Sequence, residues 1–431
     1  MRKQNAKIKS LKLKVLIFSF CFSLFTFNST LSTCDAKIYI DITSPSGKRL
    51  PIAVQELSGG EGKNISDIIS ADLDFTGLFH CLDRASFIET SVHPFNPGNW
   101  SMIGAEAVVK GSVNGDQNLS VAISLYDVFE SREIFRREYK GEKGSVRLLA
   151  HTISNDIYRQ ITGEAGIFTT RVAFVAEDEG KKGLYIMDWD GSGIKRFGIK
   201  GDFVLTPHWS KDGSKLLYSS ERGGQWGIYL LEFTKMTEKN IFSSKGLNMT
   251  GNFFPDGDEI MLSSSRDETY GLYSLKISDL RLSRITSSRW IDISPAVSPD
   301  GKLVAFVSDR GGTPQIYIMS RNGYDVRRLT FEGSYNTSPS WSPAGDKIVF
   351  VGMYSGKRQI FIFNTDGSGL AQLTESGNNE DPSFSPDSRH IIFSSDRDGV
   401  NGIYIMRTSG ESQKRITPSW LRTFSPRWSP N

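Results

Sequence analysis

Five histidines and three cysteines in 431 residues leave this sequence poor in the side chains from which most active sites are built. His80, His93, His151, His208 and His390 show no metal-ligand spacing, so no transition-metal centre is expected. The chain contains no Gly-x-Ser-x-Gly elbow, no phosphate loop ending in Gly-Lys-Ser/Thr and no His-Glu-x-x-His. Two stretches, 188–193 and 364–369, begin like calcium loops. Both lack the glutamate at the twelfth position and lie between expected strands, so they read as hairpin turns. No catalytic, cofactor-binding or metal-binding residue is assigned.

Long apolar runs are also scarce. One spans residues 15–27, behind the basic residues Arg2, Lys3, Lys7, Lys9, Lys12 and Lys14. It is too short to cross a bilayer as a mature helix and reads as the core of a secretory signal over residues 1–36. An uncleaved anchor, or a lipoprotein acylated at Cys34, are the other readings. Six of the 51 Lys and Arg and one of the 48 Asp and Glu fall in this segment, so its removal turns the net charge from +3 to about −2. The mature chain therefore carries no basic excess that calls for nucleic acid. Cys21 and Cys34 leave with the signal. Cys81 remains alone among apolar neighbours, a buried structural thiol with no disulfide partner.

What the chain has in quantity is repetition. Trp209, Phe253, Val297, Trp341, Phe384 and Trp428 follow one another at separations of 44, 44, 44, 43 and 44 residues. A period in the low forties is the mark of a β-propeller built from four-stranded blades. In the unit from Ser338, Pro339 and Ser340 lead into a short strand carrying Trp341. Ser342-Pro343-Ala344-Gly345 supplies the turn, Pro fixing φ and Gly permitting φ > 0. Strands are expected over 347–351, 359–363 and 370–374, with a loop over 352–357. The first unit starts at Arg171 with a second strand, and the sequence ends on the first-strand element Pro426-Arg427-Trp428. The two fragments complement each other, giving six blades with the C-terminal strand closing the ring and removing two exposed edges.

Residues 37–163 read as an α/β domain, 164–168 as a connector and 169–431 as the propeller. A helix is expected from Asn64 as cap through Ile65, Ile68, Ile69 and Leu73 to Gly77, and another from Ser145 to Gly163. Strands are expected over 50–56, 107–113, 119–127 and 133–139.

The stretches entering each first strand, 202–206, 248–250, 291–294, 335–338, 378–381 and 422–425, are expected as loops ringing one mouth of the channel. Loops on a rigid scaffold are where binding concentrates. The residues assigned there to partner contact are Leu205, Thr206, Leu247, Asn248, Thr250, Asp292, Ser294, Asn336, Thr337, Glu380, Asp381 and Thr423.

The junction Ala150-His151-Thr152-Ile153-Ser154-Asn155-Asp156-Ile157-Tyr158, then Thr162-Gly163 and 166–174, resembles the interdomain link of the TolB family of the Tol–Pal envelope system of Gram-negative bacteria. So do Leu78-Phe79 with Leu82-Asp83-Arg84, and the Ser-Asp-Arg repeats at 308–310 and 395–397. The resemblance covers essentially residues 37–431. It implies a monomeric, non-enzymatic periplasmic scaffold without cofactor, which supports outer-membrane integrity and constriction during cell division. It further implies binding of the lipoprotein Pal at the channel mouth, with peripheral association to the outer membrane through it. The first mature residues, Lys37, Ile38, Tyr39, Ile40, Asp41 and Ile42, would contact TolA. The sequence departs from the family in two places. Leu247 stands where some relatives carry a histidine, and the turn Ser44-Pro45-Ser46-Gly47 differs from the usual one. The competing readings are a propeller enzyme, which would need a serine elbow, and a carbohydrate-binding propeller, for which Phe203, Tyr335 and Phe424 are the candidate platforms.

Overall fold

A computed structural model describes residues 49–197, 203–287 and 289–431. The chain divides into Met1–Lys37 and Ile38–Asn431. The expected signal, the segment 37–42 and residue 202 of the stretch 202–206 lie outside the described residues.

The N-terminal part comprises β1 (Leu50–Val54), α1 (Gly62–Phe75), β2 (Phe79–Cys81), α2 (Pro97–Met102), β3 (Ala107–Asn114), β4 (Asn118–Asp127), β5 (Arg132–Glu142) and α3 (Val146–Thr162). Its five-stranded sheet has the order β2-β1-β3-β4-β5, with β1 parallel to both neighbours and the rest antiparallel. The apolar stripes of α1 (Ile65, Ile69, Leu73) and α3 (Ile153, Ile157, Ile161) are fully buried in one core with the sheet. Helix α1 starts earlier than expected, with Glu61 rather than Asn64 at its N-cap. Gly62 lies so close to the Leu57 carbonyl that a Cβ there would clash, and Ser66 Oγ accepts the Leu57 amide at 2.9 Å. This tight return of the chain, rather than a capping side chain, fixes the helix start. Gly163 ends α3 in the left-handed region at φ 79°, where glycine is unstrained. The Cys81 thiol donates to the Ser70 carbonyl at 3.3 Å, and burial, followed by the Asp74 charge, pushes it up to about 12.

The remainder forms six four-stranded antiparallel sheets, the blades of the propeller. Blade one joins Arg422–Trp428 to Arg171–Asp178, Lys181–Asp188 and Lys195–Arg196, so the C-terminal strand closes the ring. The first strands of blades two to six are Phe203–Trp209, Asn248–Phe253, Asp292–Val297, Asn336–Trp341 and Asn379–Phe384. Each carries one anchor of the 44-residue period.

The structure explains three elements of the repeat. The anchor tryptophans fill the space between blades and tether them: Trp341 Nε1 donates to the Ala296 carbonyl at 2.9 Å, and Trp209 Nε1 to the Arg427 carbonyl at 3.0 Å. In blades four, five and six the threonine ending the fourth-strand tail caps the blade. Thr330, Thr374 and Thr417 Oγ1 accept the amides of Ile316, Ile360 and Ile403 at 2.9–3.0 Å. The proline before each anchor marks a β-bulge. Thr206, Ser294, Ser338, Asp381 and Ser425, each preceding a proline, have φ between 47° and 52°, and the register shifts at these points. Blade three has Thr250-Gly251 instead and no positive φ at Thr250. A Cβ on Gly251 would lie 2.7 Å from Pro295 Cγ and from the Met261 carbonyl, so only glycine fits.

The bulge also corrects one expectation. Residues 203–206, 292–294, 336–338, 379–381 and 422–425, read as loops, are the first halves of the strands themselves, because the bulge lets each strand run through its proline, and 248–250 begin the strand that passes Gly251. The expected loop over 352–357 is likewise a tight hairpin, since the flanking strands extend over Lys347–Tyr354 and Lys357–Asn364.

Candidate functional site

The six first strands enclose a channel of about 1160 Å³. Each runs from a front face, where Leu247 and Ile291 line the opening, to a rear face lined by Pro255, Pro299, Pro343, Pro386 and Pro430. The two faces are not equivalent. Turns on the rear side of blades one and six carry Asp190, Arg389 and His390, and these meet the N-terminal domain. Phe75 of α1 stacks on His390 with ring centroids 4.6 Å apart and meets Trp189 at 4.7 Å. Arg147 of α3 pairs with Asp190, and Arg389 with Glu164 at 3.5 Å. The buried His151 links Asp72 of α1, at 2.8 Å from Nδ1, to Asp190, at 3.5 Å from Nε2. Burial opposes charge on this ring, but the carboxylates of Asp190 and Asp72 outweigh it and hold it up to about 9.

Exposed apolar side chains occur on both faces: Phe331 and Trp420, 75% and 78% exposed, with Tyr354 and Tyr335 on the front, and Met236 and Tyr324 on rear turns. At the front opening itself the exposed apolar group is Ile291, beside Leu247, and apolar groups at an opening suit an interaction site. Phe424 offers no free ring for a sugar, because Lys182 Nζ lies 4.6 Å and the Arg422 guanidinium 5.3 Å from its centroid.

The residues assigned to partner contact fall into two groups. Leu205, Thr206, Leu247, Ser294, Thr337, Glu380 and Asp381 are half-buried at the front mouth or just inside it. Burial and then the Asp381 charge raise the Glu380 carboxyl, while Arg358 pairs with it at 2.7 Å. Asn248, Thr250, Asp292, Asn336 and Thr423 are buried, which corrects the expectation of direct contact. Asn248, Asn336 and Thr423 tie blades together through their side chains, whereas Asp292 ties two strands of its own blade. Asn248 Nδ2 donates to the Trp226 carbonyl at 2.9 Å, and Asn336 Nδ2 to Gln315 Oε1 at 2.8 Å. Asp292 accepts from Arg310 at 2.9 Å, and Thr423 Oγ1 lies 3.3 Å from Thr417 Oγ1. Thr250 lines the channel, with its amide donated to Ser219 Oγ at 2.8 Å. In these strands alternate residues turn into the blade, so the assigned ring mixed wall and lumen. Met249 and Ile293, the lumen-facing neighbours of Asn248 and Asp292, were missed, although strand alternation could have found them.

The stretches 188–193 and 364–369 are hairpin turns. The Asp188 and Asn364 amides donate to the Ser192 and Ser368 carbonyls at 2.9 and 2.8 Å. Among the described residues no cluster of three or more His, Cys, Asp and Glu is placed to hold a metal ion, and no helix is long and apolar enough to cross a membrane.

Residues 38–134 match the TolB amino-terminal domain, and residues 158–431 match the TolB beta propeller domain. Proteins named Tol-Pal system protein TolB are similar over part of their length. That of Desulfosudis oleivorans is 34% identical over 199 residues, covering 43% of this chain and 45% of the relative. That of Polaromonas sp. is 31% identical over 194 residues, covering 44% and 46%. The chain thus matches about half the length of these curated relatives. The crystal structure of TolB from Acinetobacter baumannii superposes with a TM-score of 0.81 at 28% identity, covering 89% of this chain and 97% of that one. With both domain types matched in order and the propeller match spanning more than half of its residues, the chain belongs to the TolB family of the Tol–Pal system.

Proposed function

We propose that this protein is a non-catalytic periplasmic scaffold that binds the lipoprotein Pal at the front mouth of its propeller and TolA through residues 37–42. The observation that carries the Pal assignment is the inequality of the two faces. Rear turns of blades one and six are engaged by the N-terminal domain, while the front opening is lined by Leu247 and the exposed Ile291. Half-buried Leu247 and Thr337 flank that opening and suit a protein surface better than a small polar substrate. The TolA assignment rests on family membership and on the strand-like alternation of Lys37-Ile38-Tyr39-Ile40-Asp41-Ile42 near the mature terminus. Through these contacts the protein supports outer-membrane integrity and constriction at division.

Binding of purified Pal to residues 37–431, followed by calorimetry, tests the mouth, and a TolA fragment tests the segment. Export is tested by fractionation. A mature protein starting near Lys37 and released by osmotic shock is expected, whereas an N-terminal acylated Cys34 in the membrane fraction would contradict it.

A further inference from the structure

The residue just before the anchor of each repeat lines the middle of the channel in all six blades. In ring order these are Arg427, His208, Asn252, Ala296, Ser340 and Ser383. Three neighbouring blades therefore contribute an arginine, a histidine and an asparagine. The three facing them contribute only small side chains.

The Arg427 guanidinium is incompletely satisfied. Its Nη1 donates to the carbonyls of Pro426 at 2.8 Å and Asp381 at 3.2 Å. Nε and Nη2 have no partner among the described residues, and no carboxylate oxygen there lies within 4.0 Å of the guanidinium. The half-buried guanidinium stands on the channel wall with two of its donor nitrogens unused, an arrangement that suits an anion. His208 adds a second donor. Its Nδ1 lies 3.2 Å from Asn252 Nδ2 and accepts from it. Burial, and then the Arg427 charge, hold the ring neutral, well below its ordinary pKa. A neutral ring accepting at Nδ1 carries its proton on Nε2, which likewise has no partner among the described residues. The Asp381 carboxylate accepts from Ser425 Oγ at 2.8 Å on the other side of Arg427. It repels an anion from that side, which leaves the side toward His208.

We propose that the mid-channel half-ring of Arg427, His208 and Asn252 binds one small anionic group, a carboxylate or a phosphate, in the space left by Ala296, Ser340 and Ser383. Arg427 supplies the charge and a planar pair of donors suited to either anion. The anion is either a free ion or, on the reading that Pal docks at the front mouth, an acidic side chain that Pal sends into the channel.

The test is thermal melting of residues 37–431 with sodium acetate and with inorganic phosphate at constant ionic strength, for wild type and Arg427→Gln. Wild type is expected to gain stability along a single-site saturation curve, and the variant to lose at least about tenfold in apparent affinity, as for a charge-assisted hydrogen bond. Crystals of the unaltered protein soaked in bromide give an independent reading that does not depend on the variant folding. An anomalous peak within hydrogen-bond distance of Arg427 is expected. Pal affinity then separates the sources. A fall of about tenfold or more in Arg427→Gln assigns the anion to Pal, and an unchanged affinity assigns it to a free ion. Melting indifferent to both anions, an equal gain in wild type and variant, or a bromide-free channel would overturn the proposal.

Discussion

Arg310 Nη2 donates to Asp292 Oδ1 at 2.9 Å, and two blades on Arg397 Nη2 makes the same bond to Asn379 Oδ1 at 2.8 Å. Both arginines also donate from Nε to the serine two residues earlier, Ser308 and Ser395. The repeated Ser-Asp-Arg is thus a clasp between the second strand of a blade and the first. Its acceptor is a charge in blade four and a neutral amide in blade six.

That difference sets the first prediction. Asp292 is fully buried, so Arg310→Ala removes the guanidinium from a buried carboxylate and is expected to cost about 3–5 kcal/mol. Arg397→Ala leaves a neutral amide and is expected to cost about 1–3 kcal/mol. Urea unfolding of both variants checks the order, and equal losses would contradict it.

Closure of the ring makes the second. Trp428 pairs with Val172, and its Nε1 donates to Thr170 Oγ1 at 2.8 Å, while the Arg171 amide donates to Ser429 Oγ at 2.9 Å. Trp428 also belongs to the apolar cluster shared with the N-terminal domain. Deleting residues 427–431 is expected to abolish soluble protein, because two edges and part of that core open together. Soluble expression with wild-type melting would contradict it.

The third concerns pH. The folded His151 pKa of about 9 lies above the ordinary 6.5. Its charged form therefore stabilises the interface fully below pH 6.5, and that contribution is lost as pH rises through about 9, at most on the order of 3 kcal/mol. Asp190, held well below the carboxylate range, acts in the opposite sense, and its contribution is lost only in acid. Here burial of the carboxylate is outweighed by the bonds to His151 and Arg147. Unfolding free energies are expected to fall between pH 6 and 9.5 in wild type and to fall less in His151→Phe. Parallel profiles for the two proteins would contradict this.

How much was legible in the sequence follows from what the period encodes. The blades, their number and the closing strand could be read because Trp209, Trp341 and Trp428 recur in register with their prolines. The walls of the site were confused with its lumen because a proline looks like a strand boundary and hides the alternation that separates them. The positive φ at Ser294 or Ser338, which turns it into a bulge, is a property of the folded backbone. The Asp72–His151–Asp190 contact was also hidden, since it joins two helices to a turn of the first blade and follows no sequence spacing. The polar half-ring could have been found by stepping the 44-residue period from Arg427 to His208 and Asn252.

The fourth prediction links the two proposed partners. If docking of residues 37–42 against the protein competes with their capture by TolA, Pal shifts that balance only by binding the two states unequally. A TolA fragment is then expected to bind with an affinity altered by about 1–3 kcal/mol under saturating Pal. Deleting residues 37–42 is expected to abolish TolA binding. An affinity indifferent to both Pal and the deletion would contradict the coupling.

The central claim is that the front mouth receives Pal, and paired affinities for two single substitutions test it most directly. Leu247→Arg places a bulky charge at the front opening, while Lys302→Glu alters an exposed side chain on the rear turns. Calorimetric titration of Pal is expected to show at least about a tenfold weaker affinity for the first, as for a disrupted interface contact. The second is expected to bind as wild type does. Unchanged binding to Leu247→Arg together with weakened binding to Lys302→Glu would place the partner on the other face and contradict the account.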